Sequence, residues 1–256
     1  MTQNEEKTGF ISHLVELRER LIHCLIFLFV AFIICYFFSE HVYGFLVEPY
    51  SSAVKDDGVE RRLIFTALQE TFLTYIKVSF FAAFFITSPF ILIQIWKFIA
   101  PGLYQHEKSS LLPYLVITPI LFLLGGMLVY YLIMPLAIKF FLSFESSGAV
   151  TNLPIQLEAK VNEYLSLIMK LIFAFGLSFQ LPVVLSLLAR IGFIDSKFLK
   201  ERRKYVVIII FTAAALLTPP DPVTQIGLAI PLLILYELSI FSVNIIEKKI
   251  KEKENA

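Results

Sequence analysis

Charged residues are scarce in this chain. Only 17% of its 256 residues are Asp, Glu, Lys or Arg, whereas 57% are hydrophobic, and the mean hydropathy is +0.76. A water-soluble domain cannot hide so much apolar surface in its own core, so the composition excludes that class and predicts an all-α, polytopic membrane protein. The net charge of +1 gives no basic excess, and no nucleic-acid partner is expected.

Cysteine and histidine are too few and too scattered for a disulfide or a metal site. Cys24 and Cys35 lie in one apolar run, about 16 Å apart along a helix that rises about 1.5 Å per residue, so they cannot pair with each other. The four histidines show no H-x-x-x-H spacing, and there is no C-x-x-C pair. We therefore expect no metal and no cofactor.

Motifs for ATP hydrolysis and for common membrane enzymes are also missing. The sequence contains no G-x-x-x-x-G-K-[ST], no H-E-x-x-H, and no Ser, His and Asp close enough in one motif to form a triad. We expect neither an ATP-driven motor nor an enzyme.

Long apolar runs dominate the chain instead. We predict a single integral membrane domain over residues 1–256 with six transmembrane helices, at 21–38, 72–95, 112–133, 164–189, 205–217 and 226–243. The first is expected to be a retained anchor rather than a cleaved signal. The fifth run gives a helix of about 20 Å, against a hydrocarbon core of about 30 Å, so the last two spans should be short.

The segments between the spans predict connectors. The longest are 39–71, 134–163 and the basic stretch 190–204, and a charged, frayed tail is expected over 247–256. If both termini are cytoplasmic, the cytoplasmic segments hold fifteen of the 22 Lys and Arg residues and the external segments hold five. This bias is typical of the cytoplasmic side and predicts that orientation.

Two features inside the spans carry local predictions. The pair Gly125 and Gly126 in the third span favours close approach of a neighbouring helix, because neither residue has a side chain to hold the backbones apart. Glu237 in the last span is expected to be paired with a cation or to reach the interface.

Residues 10–20 predict a short amphipathic helix at the membrane surface, with apolar side chains at helical spacing along one face. Its polar side presents Glu16. One interpretation is an ordinary interfacial helix in which Glu16 pairs with Arg20 one turn later. The other is that Glu16 binds a ligand.

The connector 96–108 carries a second exposed carboxylate, Glu107, among aromatic side chains. Pro101 and Gly102 predict a helix break there. The residues again have two interpretations: an aromatic belt at headgroup depth with a solvated Glu107, or part of a binding site. The predicted topology puts Glu16 and Glu107 on the same, cytoplasmic, side, where two carboxylates could receive a pair of cations.

Four motifs together resemble the TatC family of the twin-arginine protein translocase: HLVELRERL (13–21), FIAPGLYQHEK (98–108), AFGLSFQLPVV (174–184) and TPPDPVTQ (218–225). The resemblance covers about residues 10–246. It implies a six-helix receptor in the bacterial cytoplasmic (inner) membrane that binds the paired arginines of folded proteins' signal peptides. It further implies several copies per complex, single-span partner subunits (TatA, TatB or equivalents) and use of the transmembrane proton gradient.

The resemblance also assigns residues. It implies that Glu16 and Glu107 are the signal-binding carboxylates, with Arg18, Phe98 and Tyr104 beside them.

Four further positions are singled out by the same motifs. Pro49, Asp221 and Gln225 match motif positions outside the carboxylate pair. The chain departs from the family at Gln180, where many relatives carry a glutamate within the membrane, so a role that needs an ionised group at that depth does not transfer to this chain.

A small-solute transporter is the alternative function. Such a protein would also be apolar and polytopic, but it would normally carry ionisable side chains or broken helices near the middle of the membrane. Without the resemblance, the residues alone leave a receptor, a transporter and a structural subunit equally open.

Overall fold

The computed structural model describes the backbone of residues 3–54, 61–99, 112–146, 153–218 and 221–254. Within these ranges the regular structure is helical, apart from two isolated β-bridges, which confirms the predicted all-α class. The helices are α1 (Gln3–Phe37), α2 (Ser39–Val54), α3 (Glu70–Ile99), α4 (Leu112–Leu128), α5 (Met134–Leu142), α6 (Val161–Ser178), α7 (Leu181–Arg190), α8 (Ser196–Leu217) and α9 (Pro222–Glu254). Five helical stretches of the described chain are long and apolar enough to cross a membrane.

The chain forms two compact units. The first unit is Met1–Val42 with Tyr75–Pro119, and the second unit is Tyr43–Thr74 with Ile120–Ala256. The first therefore contains α1 and most of α3, and the second contains most of α2 and everything from the later part of α4 onward.

In the first unit, α1 packs antiparallel to α3. Phe27 contacts Phe90 with ring centroids 4.9 Å apart, and further along α1 Phe32 meets Phe80 at 6.3 Å, so the numbering rises on one helix as it falls on the other. Small residues of α3 pack beside Cys35 of α1 in a small core. Both cysteines are free, which confirms that they do not pair.

In the second unit, α4 and α6 approach each other closely at glycines. A Cβ atom added to Gly125 would lie 2.7 Å from the carbonyl oxygen of Phe175, and one added to Gly176 would lie 2.6 Å from the Phe122 ring. Both distances are shorter than van der Waals contact. The close helix approach predicted at Gly125 is confirmed.

A wide π-helical turn, Val129–Ile133, connects α4 to α5. Pro135 follows it and has no N–H to donate, so the regular ladder cannot continue unchanged through this point. The N–H of Met134 instead donates to the carbonyl of Val129, five residues back. The helix thereby continues to Leu142, so the connector predicted over 134–163 begins later than expected.

The end of α7 is a Schellman motif. The N–H of Phe193 donates to the Leu188 carbonyl at 2.9 Å, and the N–H of Gly192 donates to the Ala189 carbonyl at 3.0 Å. Gly192 has φ +74°, a conformation that costs glycine little and a residue with a Cβ more.

Two carboxylates stabilise the start of α8. Asp195 accepts the N–H of Phe198 at 2.6 Å, and Glu247 of α9 accepts both the N–H and the hydroxyl of Ser196, at 2.6 and 2.7 Å. Carboxylates accept hydrogen bonds from the unpaired N–H groups at a helix N-terminus, and their negative charge interacts favourably with the helix dipole there. Much of the predicted connector 190–204 is therefore helix.

Two other predicted connecting regions also contain helix. α2 occupies the first part of 39–71, and the tail predicted to fray is helical as far as Glu254. Glu237, in contrast, follows the prediction, because its carboxylate pairs with Arg203 at 2.7 Å.

The segments between the helices of the second unit are held by a buried ion pair. Arg61 donates to Glu145 at 2.6 Å, and their side chains are only 5% and 18% exposed. The other oxygen of Glu145 accepts the N–H of Leu157 at 2.8 Å. Glu145 therefore joins the chain segments that contain Arg61 and Leu157. Beside this pair, Ser146 and Ile155 form an antiparallel bridge.

Candidate functional site

Glu16 lies on α1 with Arg20 one helical turn further on. The Arg20 guanidinium donates from Nη2 at 2.6 Å and from Nε at 2.9 Å, and both bonds go to the same oxygen, Oε1. The other oxygen, Oε2, is 3.6 Å from Nδ1 of His13. The Glu16 side chain is 35% exposed, so water or a ligand can still reach it.

Glu16 is held in its charged form by this arrangement. It precedes the predicted span 21–38, and the hydrogen bonds from Arg20 hold the pKa of Glu16 below its usual value. At neutral pH the group is an anion able to accept further N–H donors.

Two contacts join this part of α1 to the end of α3. The Arg20 guanidinium also donates from Nη1 to the Gln94 side-chain oxygen at 2.7 Å. The His13 and Phe98 rings stack with centroids 4.2 Å apart and planes inclined by 10°. The structure therefore brings Glu16 and Phe98, two of the predicted site residues, to neighbouring positions on these two helices.

The remaining members of the predicted site have different outcomes. Arg18 is exposed on α1. Glu107 and Tyr104 lie outside the described residues. Their place in the site remains a prediction.

Asp221 and Gln225 lie at the start of α9. Asp221 is 4% exposed; its carboxylate accepts the Thr224 N–H at 2.7 Å and also the Thr224 hydroxyl. Gln225 donates to the Phe211 carbonyl at 3.5 Å. The Asp221 carboxylate thus caps the first turn of α9.

Gln180 lies in the break between α6 and α7. Pro182 cannot donate to the Ser178 carbonyl four residues back, and α6 ends at Ser178. The Gln180 side chain is 7% exposed and donates to the Gly176 carbonyl at 3.4 Å. The side-chain amide therefore bonds a backbone carbonyl one helical turn earlier in the same chain segment. Pro49, the last predicted position, is buried within α2.

A family comparison agrees with the motif pattern. Residues 12–231 match the model of the family described as Sec-independent protein translocase protein (TatC). The chain belongs to the TatC family. The resemblance inferred from the four motifs is confirmed.

Individual TatC proteins are similar over nearly the whole chain. The TatC protein of Magnetococcus marinus is 49% identical over 252 residues, covering 98% of this chain and 90% of the relative. That of Escherichia coli K12 is 35% identical over 237 residues, covering 93% and 88%.

Solved TatC structures share the fold. A crystal structure of the twin-arginine translocase receptor TatC superimposes with a TM-score of 0.77 at 38% identity, covering 92% of this chain and 99% of that one. A second, in DDM, has a TM-score of 0.76 at 39% identity, covering 90% and 98%. The chain is therefore a polytopic helical membrane protein and a component of a protein translocase.

Two residues that contact this candidate site were not predicted from the sequence. Gln94 and His13 were not candidates, although they link the Glu16 region of α1 to α3. The helical spacing of Glu16 and Arg20 was a usable signal, whereas no local pattern pairs Arg20 with a residue 74 positions away. In the described part of the chain no cluster of three or more His, Cys, Asp or Glu side chains could hold a metal.

Proposed function

We propose that this chain is the receptor and core subunit of a twin-arginine translocase, which binds Arg-Arg signal peptides of folded proteins at the cytoplasmic face. The observation that carries the proposal is family membership across nearly the whole chain, together with an ionised, partly exposed Glu16 beside Phe98. The same comparisons favour a translocase subunit over the small-solute transporter.

Glu16 has capacity for an incoming guanidinium. Arg20 uses only Oε1 for its two hydrogen bonds, and Oε2 has its nearest charged neighbour, His13, at 3.6 Å. A signal arginine could donate to Oε2, or replace Arg20, which would keep its bond to Gln94. Charge-assisted hydrogen bonds of this kind contribute about 1.5–3 kcal/mol each.

A second carboxylate would give selectivity for a pair of arginines. We assign this part to Glu107, with Arg18, Phe98 and Tyr104 lining the site. Two anions separated along a surface bind two fixed cations better than one, and the planar guanidinium fork fits a carboxylate in a way that an ammonium does not.

The partners follow from the same proposal. The subunit would assemble in several copies with single-span subunits of the TatA and TatB type, within the lipid bilayer of the bacterial inner membrane. Apolar side chains exposed on α1, such as Leu25, Phe29 and Ile33, offer surface for lipid or for such helices. It would act without catalysing a chemical reaction, and we expect no nucleic-acid partner.

The direct test compares signal-peptide binding by the parent and by Glu16→Gln or Glu107→Gln. Each substitution keeps the side-chain shape but removes the charge, and should weaken binding of an Arg-Arg peptide by more than about 1 kcal/mol. Glu19→Gln, an exposed carboxylate on the same helix, is the matched control and should leave binding unchanged. A Lys-Lys peptide should bind the parent weakly.

Double-mutant cycles between each glutamate and each signal arginine assign the contacts. Binding of Arg-Arg and Lys-Lys peptides at parental strength by both Gln variants, with no coupling in any cycle, would remove these residues from the site.

The proposed topology has six spans with both termini cytoplasmic, and it is tested by cysteine labelling in a variant without Cys24 and Cys35. A cysteine at Lys200 should react from the cytoplasm, and one at Leu68, whose side chain is 97% exposed, should react from outside. Labelling of position 200 from outside would contradict the orientation.

A further inference from the structure

Pro49 leaves one carbonyl of α2 without its usual donor. In an α-helix the N–H of a residue donates to the carbonyl four residues earlier, and proline has no N–H, so the Phe45 carbonyl cannot be satisfied by position 49. Leu46, Pro49 and Tyr50 are all buried. Phe45 itself is 56% exposed, but a backbone carbonyl that has lost its helical donor is still stabilised by a donor from elsewhere in the chain.

Tyr130 supplies that donor. Its hydroxyl donates to the Phe45 carbonyl at 2.8 Å, and its ring stacks on the Phe45 ring with centroids 4.4 Å apart and planes inclined by 7°. Tyr130 is 9% exposed and belongs to the π-helical turn Val129–Ile133.

Tyr164 of α6 bonds the next carbonyl. Its hydroxyl donates to the Leu46 carbonyl at 3.0 Å, and its ring meets the Tyr50 ring edge-on at 5.4 Å. Tyr164 is 7% exposed. Two adjacent carbonyls at the proline are therefore each bonded by a tyrosine hydroxyl from a different helical segment.

We propose that Tyr130 and Tyr164 are positioning residues, forming a two-hydroxyl clasp that fixes α2 at Pro49. The clasp explains why a proline is tolerated in the interior of this helix: its missing N–H is replaced by a phenol from another helix. A phenylalanine at position 130 would keep the ring stacking but lose the bond, so the hydroxyl itself carries the effect. For protein export the inference rests on the proposed translocase function.

Hydrogen–deuterium exchange of the α2 amides tests the clasp. Tyr130→Phe should speed exchange by about five-fold or more, since one hydrogen bond of about 1 kcal/mol corresponds to that factor. Tyr131→Phe is the matched control, because Tyr131 lies in the same π-helical turn with 70% of its surface exposed. It should leave the exchange of α2 at the parental rate.

The decisive comparison is made in a Pro49→Ala background. Alanine restores the N–H that satisfies Phe45, so Tyr130→Phe should then change the exchange rate by less than two-fold. A general packing role for Tyr130 would give the same loss in both backgrounds. Should Pro49→Ala fail to fold, the Tyr130→Phe and Tyr131→Phe variants still decide, because equal exchange in these two overturns the clasp.

Binding and export separate this inference from the proposed function. Tyr130→Phe should reduce export of an Arg-Arg precursor in cells while binding of the free signal peptide stays at the parental level. Undiminished export would overturn the role of the clasp in translocation. If the parent protein bound no Arg-Arg peptide, the proposed function would fail, whereas the exchange measurements would still test the clasp.

Discussion

The two compact units each contain an arginine–carboxylate pair with the same N–O distance, 2.6 Å, in different surroundings. In the first unit, the side chains of Arg20 and Glu16 are 26% and 35% exposed. In the second, those of Arg61 and Glu145 are 5% and 18% exposed. Distance alone would rank the pairs as equal, but an exposed pair is screened by water, whereas a buried charge that loses its partner has no solvent to replace it.

The comparison separates an ion pair that stays accessible to water from one that holds chain segments together. In the first unit, only 6% of the membrane-length apolar segment of α1 is buried. In the second, 56% of the corresponding segment formed by α6 and α7 is buried. The exposure of Glu16 fits its proposed role in binding a ligand, because breaking an exposed ion pair costs little. The second unit also contains the close approach of α4 and α6 at Gly125.

Arg61→Ala should produce the largest loss of stability. It leaves Glu145 charged and largely buried, and we expect the free energy of unfolding to fall by about 3 kcal/mol. Thermal unfolding of the purified protein in detergent measures the change. Arg62→Ala, at the exposed neighbouring position, should stay within about 0.5 kcal/mol. Equal losses in the two variants would mean that burial does not distinguish these arginines.

Gly125→Ala should cost about 2 kcal/mol in the same assay, since the new methyl group meets the rigid backbone of Phe175 rather than a movable side chain. Gly44→Ala is the control, because no atom lies within 4 Å of the added Cβ. Gly44 is in α2, where alanine favours helix by about 0.5–1 kcal/mol, so this variant should be no less stable than the parent. A harmless Gly125→Ala would contradict the close helix approach.

Gln180→Glu should cost about 1 kcal/mol, with a dependence on pH. The protonated acid resembles the amide in shape, whereas the ionised form must give up its hydration at a site that is 7% exposed. The loss of thermal stability relative to the parent should therefore be greater at pH 8 than at pH 5. Equal losses at both pH values would show that position 180 is better solvated than its burial indicates.

Arg20→Ala should have the smallest effect on folding, less than about 1 kcal/mol, because both partners of its ion pair are partly exposed. Thermal unfolding again provides the measurement. A loss as large as that of Arg61→Ala would remove the distinction between the two units.

Helical class and apolar runs could be read from the sequence because they depend on composition and length. α2 could not, since a proline-containing segment in a polar region is not a typical helix; tyrosines far along the chain donate to its carbonyls. The continuation of helix beyond 134 depends on a π-helical turn, which has no clear sequence signal. Likewise, the start of α8 is stabilised in part by Glu247, 51 residues away from Ser196.

In the candidate site, contacts within one helix could also be predicted from the sequence, whereas contacts between helices could not. Glu16 and Arg20 share a helix face because they are four residues apart, so their pairing follows from local geometry. The link from Arg20 to Gln94 depends on the antiparallel register of α1 and α3, which packing of Ala82 and Ala83 against Cys35 sets. Asp221, identified only by a motif, acquires a physical role through Thr224, three residues later.

The length of α9 has a practical consequence for reporter fusions. The helix continues to Glu254, eleven residues past the predicted end of the last span at 243, which adds about 16 Å of helix. Glu and Lys residues are interspersed along this part of the sequence from Glu247 onward. A fluorescent protein joined directly after Glu254 would thus follow a continuous helix, and energy transfer to a lipid dye would measure how far the end of this helix lies from the lipid surface.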